Sequence, residues 1–340
     1  MSEPGTVAAT PTTGTAGDPA TGAAAAGGPP PGGARGTNGR VRSFLKLVAI
    51  EHSVFALPFA YLSALTAMAV DGGRVRWRDL LLITIAMVGA RTFAMAANRI
   101  IDRRIDARNP RTAGRELVTG AVSVGTAWTG AVVALVVFLA AAALLNPLCL
   151  VLSPLAVVPL VVYPYGKRFT NWPHAILALA QAVGPVGGWL AVTGTFAGSG
   201  PAWILGAAVG LWIGGFDLIY ACQDMEIDRR IGVHSVPARY GLRFALVAST
   251  VAHVVTFALF LWFGALVGLG GDAGGDWLGA WPWWIGLLLT ALAFAYQHVV
   301  VTPTDLTRVN RAFFTANGFV GIALFAFALL DLVLRLELRP

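Results

Sequence analysis

The chain carries very little charge for its length. Only 12% of its 340 residues are Asp, Glu, Lys or Arg, whereas soluble domains carry about 25%. Its mean hydropathy is +0.70, and 56% of its residues are hydrophobic. A soluble fold has no use for so much apolar surface. The composition therefore argues against a soluble enzyme and indicates a protein that is surrounded by lipid.

Cysteine is scarce, and no stretch of the chain alternates basic with aromatic residues. Cys149 and Cys222 lie in apolar segments without metal-ligand spacing, and nothing calls for a disulfide. The net charge of +7 comes from basic residues in short loops, where they determine membrane topology. Single-strand binding needs basic residues interleaved with aromatics on an exposed surface, so we expect no nucleic-acid partner.

Large apolar residues are nearly absent from residues 1–40, which are rich in Ala, Gly, Pro and Thr. Such a segment cannot bury enough surface to fold, so we predict a disordered N-terminal tail and one membrane domain over residues 41–340. That domain has about nine apolar runs, each near the ~20 residues that cross hydrocarbon. We predict an all-α, polytopic bundle of nine transmembrane helices. The predicted spans are Ser53–Val70, Asp79–Ala97, Val124–Leu145, Leu148–Tyr163, Pro173–Val192, Ala202–Tyr220, Leu242–Val267, Leu278–Val301 and Phe313–Leu334.

Basic residues follow the even-numbered predicted helices, which orients the bundle. The loops after odd-numbered helices are mostly neutral or acidic, and the loop with Arg74, Arg76 and Arg78 is the exception. The positive-inside rule predicts an integral protein of the cell membrane, with its N-terminus and the even loops in the cytoplasm.

Two acid-rich stripes stand out at the ends of even-numbered helices. Carboxylates at membrane depth are costly unless they are paired or bound to a cation. The first stripe is Asn98, Asp102 and Asp106, and the second is Asp217, Tyr220, Asp224 and Asp228. Spacings of three and four residues place each set on one helix face, at matched depth on the same side of the membrane.

The chemistry of these stripes suits a metal and a phosphate. Like charges one turn apart repel, and a divalent cation removes that penalty. Carboxylate and amide oxygens are ligands for Mg²⁺, which completes its shell with water and substrate phosphates. Solvated helix ends with snorkelling arginines are the alternative for one stripe alone. Two matched stripes favour a diphosphate held by Mg²⁺, with Asn98, Asp102, Asp106, Asp224 and Asp228 as candidate metal ligands.

These motifs resemble those of the UbiA-type intramembrane aromatic prenyltransferases, over a stretch from Val41 to Arg335. The first motif of the family, NxxxDxxxD, matches the first stripe and is followed by Arg111, Thr112, Arg115 and Gly120. The second motif matches the second stripe, then Gly232 and Ser235. The middle YxxxK element matches Tyr163 and Lys167.

The resemblance implies nine helices around a central cavity that opens laterally to lipid. It implies a prenyltransferase that uses Mg²⁺, a polyprenyl diphosphate and an aromatic acid. The donor carbon ionises, and an electron-rich ring attacks the cation through carbon. Tyr163, Lys167, Asp217 and Tyr220 are then candidate catalytic residues, although Tyr163 and Lys167 also suit an interfacial anchor pair. The candidate substrate-binding residues are Asn98, Arg111, Arg115, Lys167, Arg168 and His52.

Departures from the family pattern bear on the acceptor. Many members have Asp where Arg99 stands, and Lys where His234 stands. Hydroxybenzoate-type members have a basic residue where this chain has Ala49, before Glu51 and His52. The pattern is closest to members that prenylate a dihydroxynaphthoate in the futalosine route to menaquinone, which is our prediction, with 4-hydroxybenzoate as the alternative acceptor. His52 suits either an acceptor contact or a membrane-interface histidine.

Two other functions compete with prenyl transfer. Membrane phosphotransferases acting on CDP-alcohols also use acidic columns, but they expect DGxxAR, which the sequence RTAGREL does not supply. A cation transporter would place its acids near the bilayer midplane in broken helices, whereas these acids lie at helix ends.

Overall fold

Nine long helices build the described part of the chain. The computed structural model describes Leu47, residues 57–271 and residues 281–335, and these residues contain no β-strand. The predicted tail over residues 1–40 and His52 lie outside them. We number the long helices α1 Leu57–Val70, α2 Trp77–Asp106, α3 Val124–Leu145, α4 Pro147–Gly166, α5 Pro173–Thr193, α6 Gly200–Ala221, α7 Leu242–Val267, α8 Trp281–Val300 and α9 Asn317–Arg335.

The helices confirm an integral membrane protein of the all-α class. Eight helices of the described residues are long and apolar enough to cross a membrane, and α1 is a shorter apolar helix of 14 residues. Helices α3 and α7 have the predicted bounds. The predicted starts of α1 and α8 fall in segments that the structure does not describe.

Helix α2 is longer than its apolar run. Its predicted end was Ala97, but it continues to Asp106, nine residues further. Arginine and isoleucine are acceptable in a helix interior, and the chain turns only from Ala107 onwards. The first stripe therefore lies entirely on one helix, as its spacing requires.

The second stripe is less regular than its spacing suggests. Helix α6 ends at Ala221, a 3₁₀ turn covers Cys222–Asp224, and a short helix covers Met225–Ile231. The prediction of one continuous helical column is wrong here, because the 3₁₀ turn tightens the backbone after Tyr220. The short helix ends at Gly232, whose positive φ of 73° suits glycine.

Small residues bring α5 and α6 into close contact. A Cβ on Gly210 would lie 2.5 Å from the Ala178 carbonyl oxygen, and one on Gly206 would lie 2.9 Å from that of Ala182. Such close approach is the usual way in which helices pack in lipid. It sets the register between the start of α5, at His174, and the end of α6, at Asp217.

Candidate active site

The two acidic stripes meet at one end of the bundle. The Asp224 carboxylate accepts hydrogen bonds from Asn109 Nδ2 at 3.0 Å and from Arg111 Nε at 2.9 Å. Arg111 also pairs with the second carboxylate oxygen and donates to the Tyr220 hydroxyl at 3.0 Å. The loop after the first stripe therefore holds the second stripe directly, and the two stripes form one site.

The carboxylates of the first stripe face cations from the loops. Asp102 is fully buried, and its Oδ2 accepts from Lys167 Nζ at 2.8 Å. Arg168 Nη2 lies 3.7 Å from Asp102 Oδ1, which is buried without a hydrogen-bond partner. Asp106 Oδ1 accepts from Arg115 Nη1 at 2.6 Å. Asn98 lies one turn deeper on α2 and is partly buried.

The second stripe is held by neutral and basic partners from other elements. Asp228 accepts from the Ser235 hydroxyl at 3.0 Å. Asp217 lies 2.6 Å from Nδ1 of His174, at the start of α5. His174 is buried, and its Nε2 has no hydrogen-bond partner among the described residues. The pair is thus a partly buried carboxylate and a buried imidazole, whose Nε2 is free to bind another group among these residues.

Tyr163 lies within electrostatic range of residues from both stripes. It is near the C-terminal end of α4, just before the buried Pro164. Its hydroxyl interacts electrostatically with Asp217 and Asp102, and also with Arg115 and Arg91. The phenol therefore lies among groups from both halves of the site.

Arg111 contacts both the Asp224 carboxylate and the ring of Tyr220. Its guanidinium carbon lies 5.1 Å from the centre of the Tyr220 ring, which packs 4.2 Å from the ring of Phe313. Burial opposes the positive charge of Arg111, but hydrogen bonds to Asp224 and the charge of that carboxylate outweigh it and raise the pKa of Arg111. Arg111 therefore stays charged at this end of the bundle.

The carboxylates of the site suit a metal ion that also binds an anionic substrate. No group of three or more Asp, Glu, His or Cys side chains within the described ranges is arranged to hold a metal by itself. Mg²⁺ usually takes one or two carboxylates and fills its shell with water and phosphate oxygens. Oδ1 of the buried Asp102, which accepts no hydrogen bond among the described residues, is one position that such a cation would satisfy.

Most of the predicted residues come together, Asn109 and His174 join them, and Arg91 lies deeper on the same helix as the first stripe. Asn98, Asp102, Asp106, Arg111, Arg115, Tyr163, Lys167, Arg168, Asp217, Tyr220, Asp224 and Asp228 line this end of the bundle, whereas His52 lies outside the described residues. Sequence reasoning missed Asn109, His174 and Arg91. Asn109 continues the helical spacing three residues after Asp106, and Arg91 precedes Asn98 by seven residues, so spacing could have found both. His174 had no such signal.

Comparisons with known proteins show the family. The UbiA prenyltransferase family matches residues 56–319. A 4-hydroxybenzoate octaprenyltransferase of Burkholderia vietnamiensis is 29% identical over 286 residues, which cover 83% of this chain and 93% of that protein. One of Xanthomonas oryzae pv. oryzae is 35% identical over 259 residues, covering 76% and 81%.

Solved structures share the fold. The apo structure of a UbiA homolog from Aeropyrum pernix K1 has a TM-score of 0.73 and 36% identity, and the match covers 83% of this chain and 98% of that one. A UbiA homolog from Archaeoglobus fulgidus bound to GPP and Mg²⁺ has a TM-score of 0.64, with coverage of 86% and 99%. At 19% identity, the second likeness shows the fold alone.

Proposed function

Because the chain belongs to the UbiA prenyltransferase family, we propose that it transfers a polyprenyl chain from a polyprenyl diphosphate to a ring carbon of 4-hydroxybenzoate. The observation that carries this proposal is the joined pair of stripes, in which Asp102 faces Lys167 and Asp224 faces Arg111. Carboxylates for a metal and cations for phosphate thus alternate around one site, which is the donor set that a metal-bound diphosphate needs.

The names of the relatives favour 4-hydroxybenzoate as the acceptor. The two relatives described above are both called 4-hydroxybenzoate octaprenyltransferases. They support the alternative drawn from the sequence better than its main prediction, a dihydroxynaphthoate of the menaquinone route. Both molecules are electron-rich aromatic acids, so the chemistry at the donor carbon is the same for either.

Several residues of the site stabilise the diphosphate as the donor ionises. The bond from the allylic carbon to oxygen breaks, and its electron pair leaves with the diphosphate. Lys167, Arg111 and Arg115 turn from their carboxylate partners towards the phosphate oxygens and offset the negative charge that develops there. Bound Mg²⁺ would add to this charge stabilisation, as it does in other phosphate chemistry. A Mg²⁺-bound homolog of the same fold supports that cofactor.

The allylic cation must then meet the ring before water does. The tyrosines Tyr163 and Tyr220, with Phe313 behind Tyr220, offer aromatic surface that excludes water. The acceptor ring carbon forms the new bond, and its proton leaves. The hydrogen-bonded pair of His174 and Asp217 offers a buried acceptor for that proton.

The site faces the cytoplasm of a cell-membrane protein in this proposal. The basic segments that follow α2, α4 and α6 all belong to the end of the bundle that carries the stripes. The positive-inside rule favours the cytoplasm for that end.

The test is a transfer assay in membranes. Wild-type membranes with Mg²⁺ and labelled polyprenyl diphosphate should prenylate 4-hydroxybenzoate, and Asp102→Ala or Asp224→Ala should lower the rate by at least 100-fold. Glu226→Ala is the matched control, because Glu226 is exposed and contacts only Arg229, at 3.7 Å, in the ion pairs of the described residues. Full transfer by both aspartate variants would overturn the proposed site. Exclusive use of a dihydroxynaphthoate would overturn the acceptor.

A further inference from the structure

A guanidinium lies at membrane depth with no counter-ion among the described residues. Arg91 is in the middle of α2, in the apolar run IAMVGARTFAMAA. No hydrogen bond or ion pair to Arg91 is found in the part of the chain that the structure describes, and its Nε is buried without a partner. An unpaired charge at this depth is costly, so its retention suggests that a ligand supplies the missing anion.

Arg91 cannot relieve this cost by reaching water at either end of its helix. At 1.5 Å per residue, Arg91 lies about 21 Å along the axis from Trp77 and about 22 Å from Asp106. An arginine side chain that snorkels reaches an interface only from near a helix end. The charge therefore stays inside the bundle.

The face of α2 that carries Arg91 is also the face of the first stripe. Arg91, Asn98 and Asp102 follow helical spacings of seven and four residues. The hydroxyl of Tyr163 interacts electrostatically with both Arg91 and Asp102. As a whole residue Arg91 is of intermediate exposure, whereas its Nε is buried. Its guanidinium thus lies on the stripe face of α2, deeper in the bundle than Asn98.

We infer that Arg91 binds the carboxylate of the aromatic acceptor. The diphosphate is too distant to be its partner, since Arg91 lies roughly 16 Å along the axis from Asp102, where Lys167 already offers a cation. A planar guanidinium matches a carboxylate with two parallel hydrogen bonds. The acceptor carboxylate is then held deep in the bundle, and its hydroxylated ring points back towards Tyr163 and the donor carbon.

This inference rests on the proposed function and makes Arg91 a specificity-determining residue. An aromatic acid satisfies the buried charge, whereas a neutral analogue leaves it unpaired. Discrimination against analogues that leave a buried polar group unpaired is characteristically large. The wild-type protein should therefore prefer 4-hydroxybenzoate over 4-hydroxybenzamide by at least 100-fold in kcat/KM.

The experiment compares these two acceptors in the full-length protein. Arg91→Gln should raise the KM for 4-hydroxybenzoate by at least tenfold, leave the KM for the polyprenyl diphosphate within twofold, and bring the acid-to-amide preference close to one. Arg91→Lys should restore part of the preference, because it keeps the charge but loses the second hydrogen bond. Arg104→Gln is the control, since Arg104 is exposed near the end of the same helix, and it should leave both KM values within twofold.

Several outcomes would overturn the inference. Equal use of the acid and the amide by the wild-type protein would overturn it. This comparison needs no variant, so it remains available if a variant fails to fold. The inference would also be overturned if Arg91→Gln raised the KM for the polyprenyl diphosphate as much as the KM for the acceptor. If the wild-type protein prenylates only a dihydroxynaphthoate and Arg91→Gln weakens that acceptor alone, the inference stands and the proposed acceptor fails. If it prenylates no aromatic acid, both fail.

Discussion

Single side chains join the two halves of the site, and Asn109 is the clearest case. Its Nδ2 donates to Asp224 at 3.0 Å, and its Oδ1 accepts from the Arg111 backbone N–H at 2.9 Å. One buried amide therefore fixes both the carboxylate of the second stripe and the arginine that pairs with it. A hydrogen bond to a charged group contributes about 1.5–3 kcal/mol.

Removing this amide should weaken the donor site. We expect Asn109→Ala to raise the KM for the polyprenyl diphosphate by roughly 10- to 100-fold, the equivalent of that energy, with a smaller change for the acceptor. Steady-state assays in detergent or membranes measure both constants. Asn171→Ala is a matched control, because Asn171 contacts His234 at 2.9 Å rather than an acidic stripe. Equal effects of the two variants would contradict the assigned role.

The residues of the site were predictable where they repeat along a helix. Asn98, Asp102 and Asp106 follow a strict spacing of four, and the structure keeps them on α2. His174 lies 43 positions from Asp217 and contacts it at 2.6 Å. Only the packing of α5 on α6 creates that contact, so no local sequence pattern predicts it.

Among the elements, the last helix departs most from a regular span. The sequence predicts one helix over Phe313–Leu334, but the structure has a π-helical turn over Ala312–Ala316 before α9. Asn317 compensates for the irregular backbone, because its Nδ2 donates to the carbonyls of Ala312 and Phe313 at 3.3 and 2.9 Å. Single π turns often occur at functional sites, and this one directs Phe313 onto Tyr220.

The polar cluster around Asn317 should be needed to hold that turn. Its Oδ1 accepts from Trp212 Nε1 at 2.9 Å and from Gln297 Nε2 at 3.0 Å, and all three side chains are fully buried. Asn317→Leu leaves these donors without their acceptor, which costs about 1–3 kcal/mol for each buried group. We expect a lower midpoint of thermal unfolding in detergent and a lower kcat, because Phe313 no longer supports Tyr220.

A control for this variant is available on the neighbouring helix. Thr290 is fully buried in α8, and its hydroxyl donates to the Gly286 carbonyl at 2.8 Å within that helix. Thr290→Val keeps the shape and disturbs no contact between helices. Thermal unfolding of Asn317→Leu at the wild-type midpoint would show that the cluster does not hold the turn. The π turn itself was not predictable, because hydropathy records an apolar run and not one additional residue in a turn.

At the scale of the whole molecule, hydropathy predicted the helical architecture but not the side-chain contacts between helices. Apolar runs gave α3 and α7 their bounds without error, since lipid requires every span to satisfy its own backbone hydrogen bonds. The same runs end α2 at Ala97, nine residues short. Charged residues at the end of a helix lower the mean hydropathy, so the segment is assigned to a loop although it belongs to the helix and forms the site.

The orientation of the bundle is the remaining prediction at this scale. The loop before α2 breaks the charge rule with three arginines, yet Arg76 pairs with Asp71 at 3.5 Å and with Asp79 at 3.3 Å, and Arg78 lies 3.6 Å from Asp79. These carboxylates lessen the cost of translocating that loop. The other end carries the basic segments after α2, α4, α6 and α8, and the rule places that end in the cytoplasm.

Reporter fusions decide between the two orientations. Alkaline phosphatase, which is active only outside the cytoplasm, should be active when fused after Gly271, beyond α7, and inactive when fused after Gly232, beyond α6. A cytoplasmic fluorescent reporter should give the opposite pattern at the same positions. Because α7 connects these positions across the membrane, the two fusions must differ whichever way the bundle lies. Phosphatase activity after Gly232 alone would invert the topology and place the diphosphate site outside the cell, where its substrates are not made.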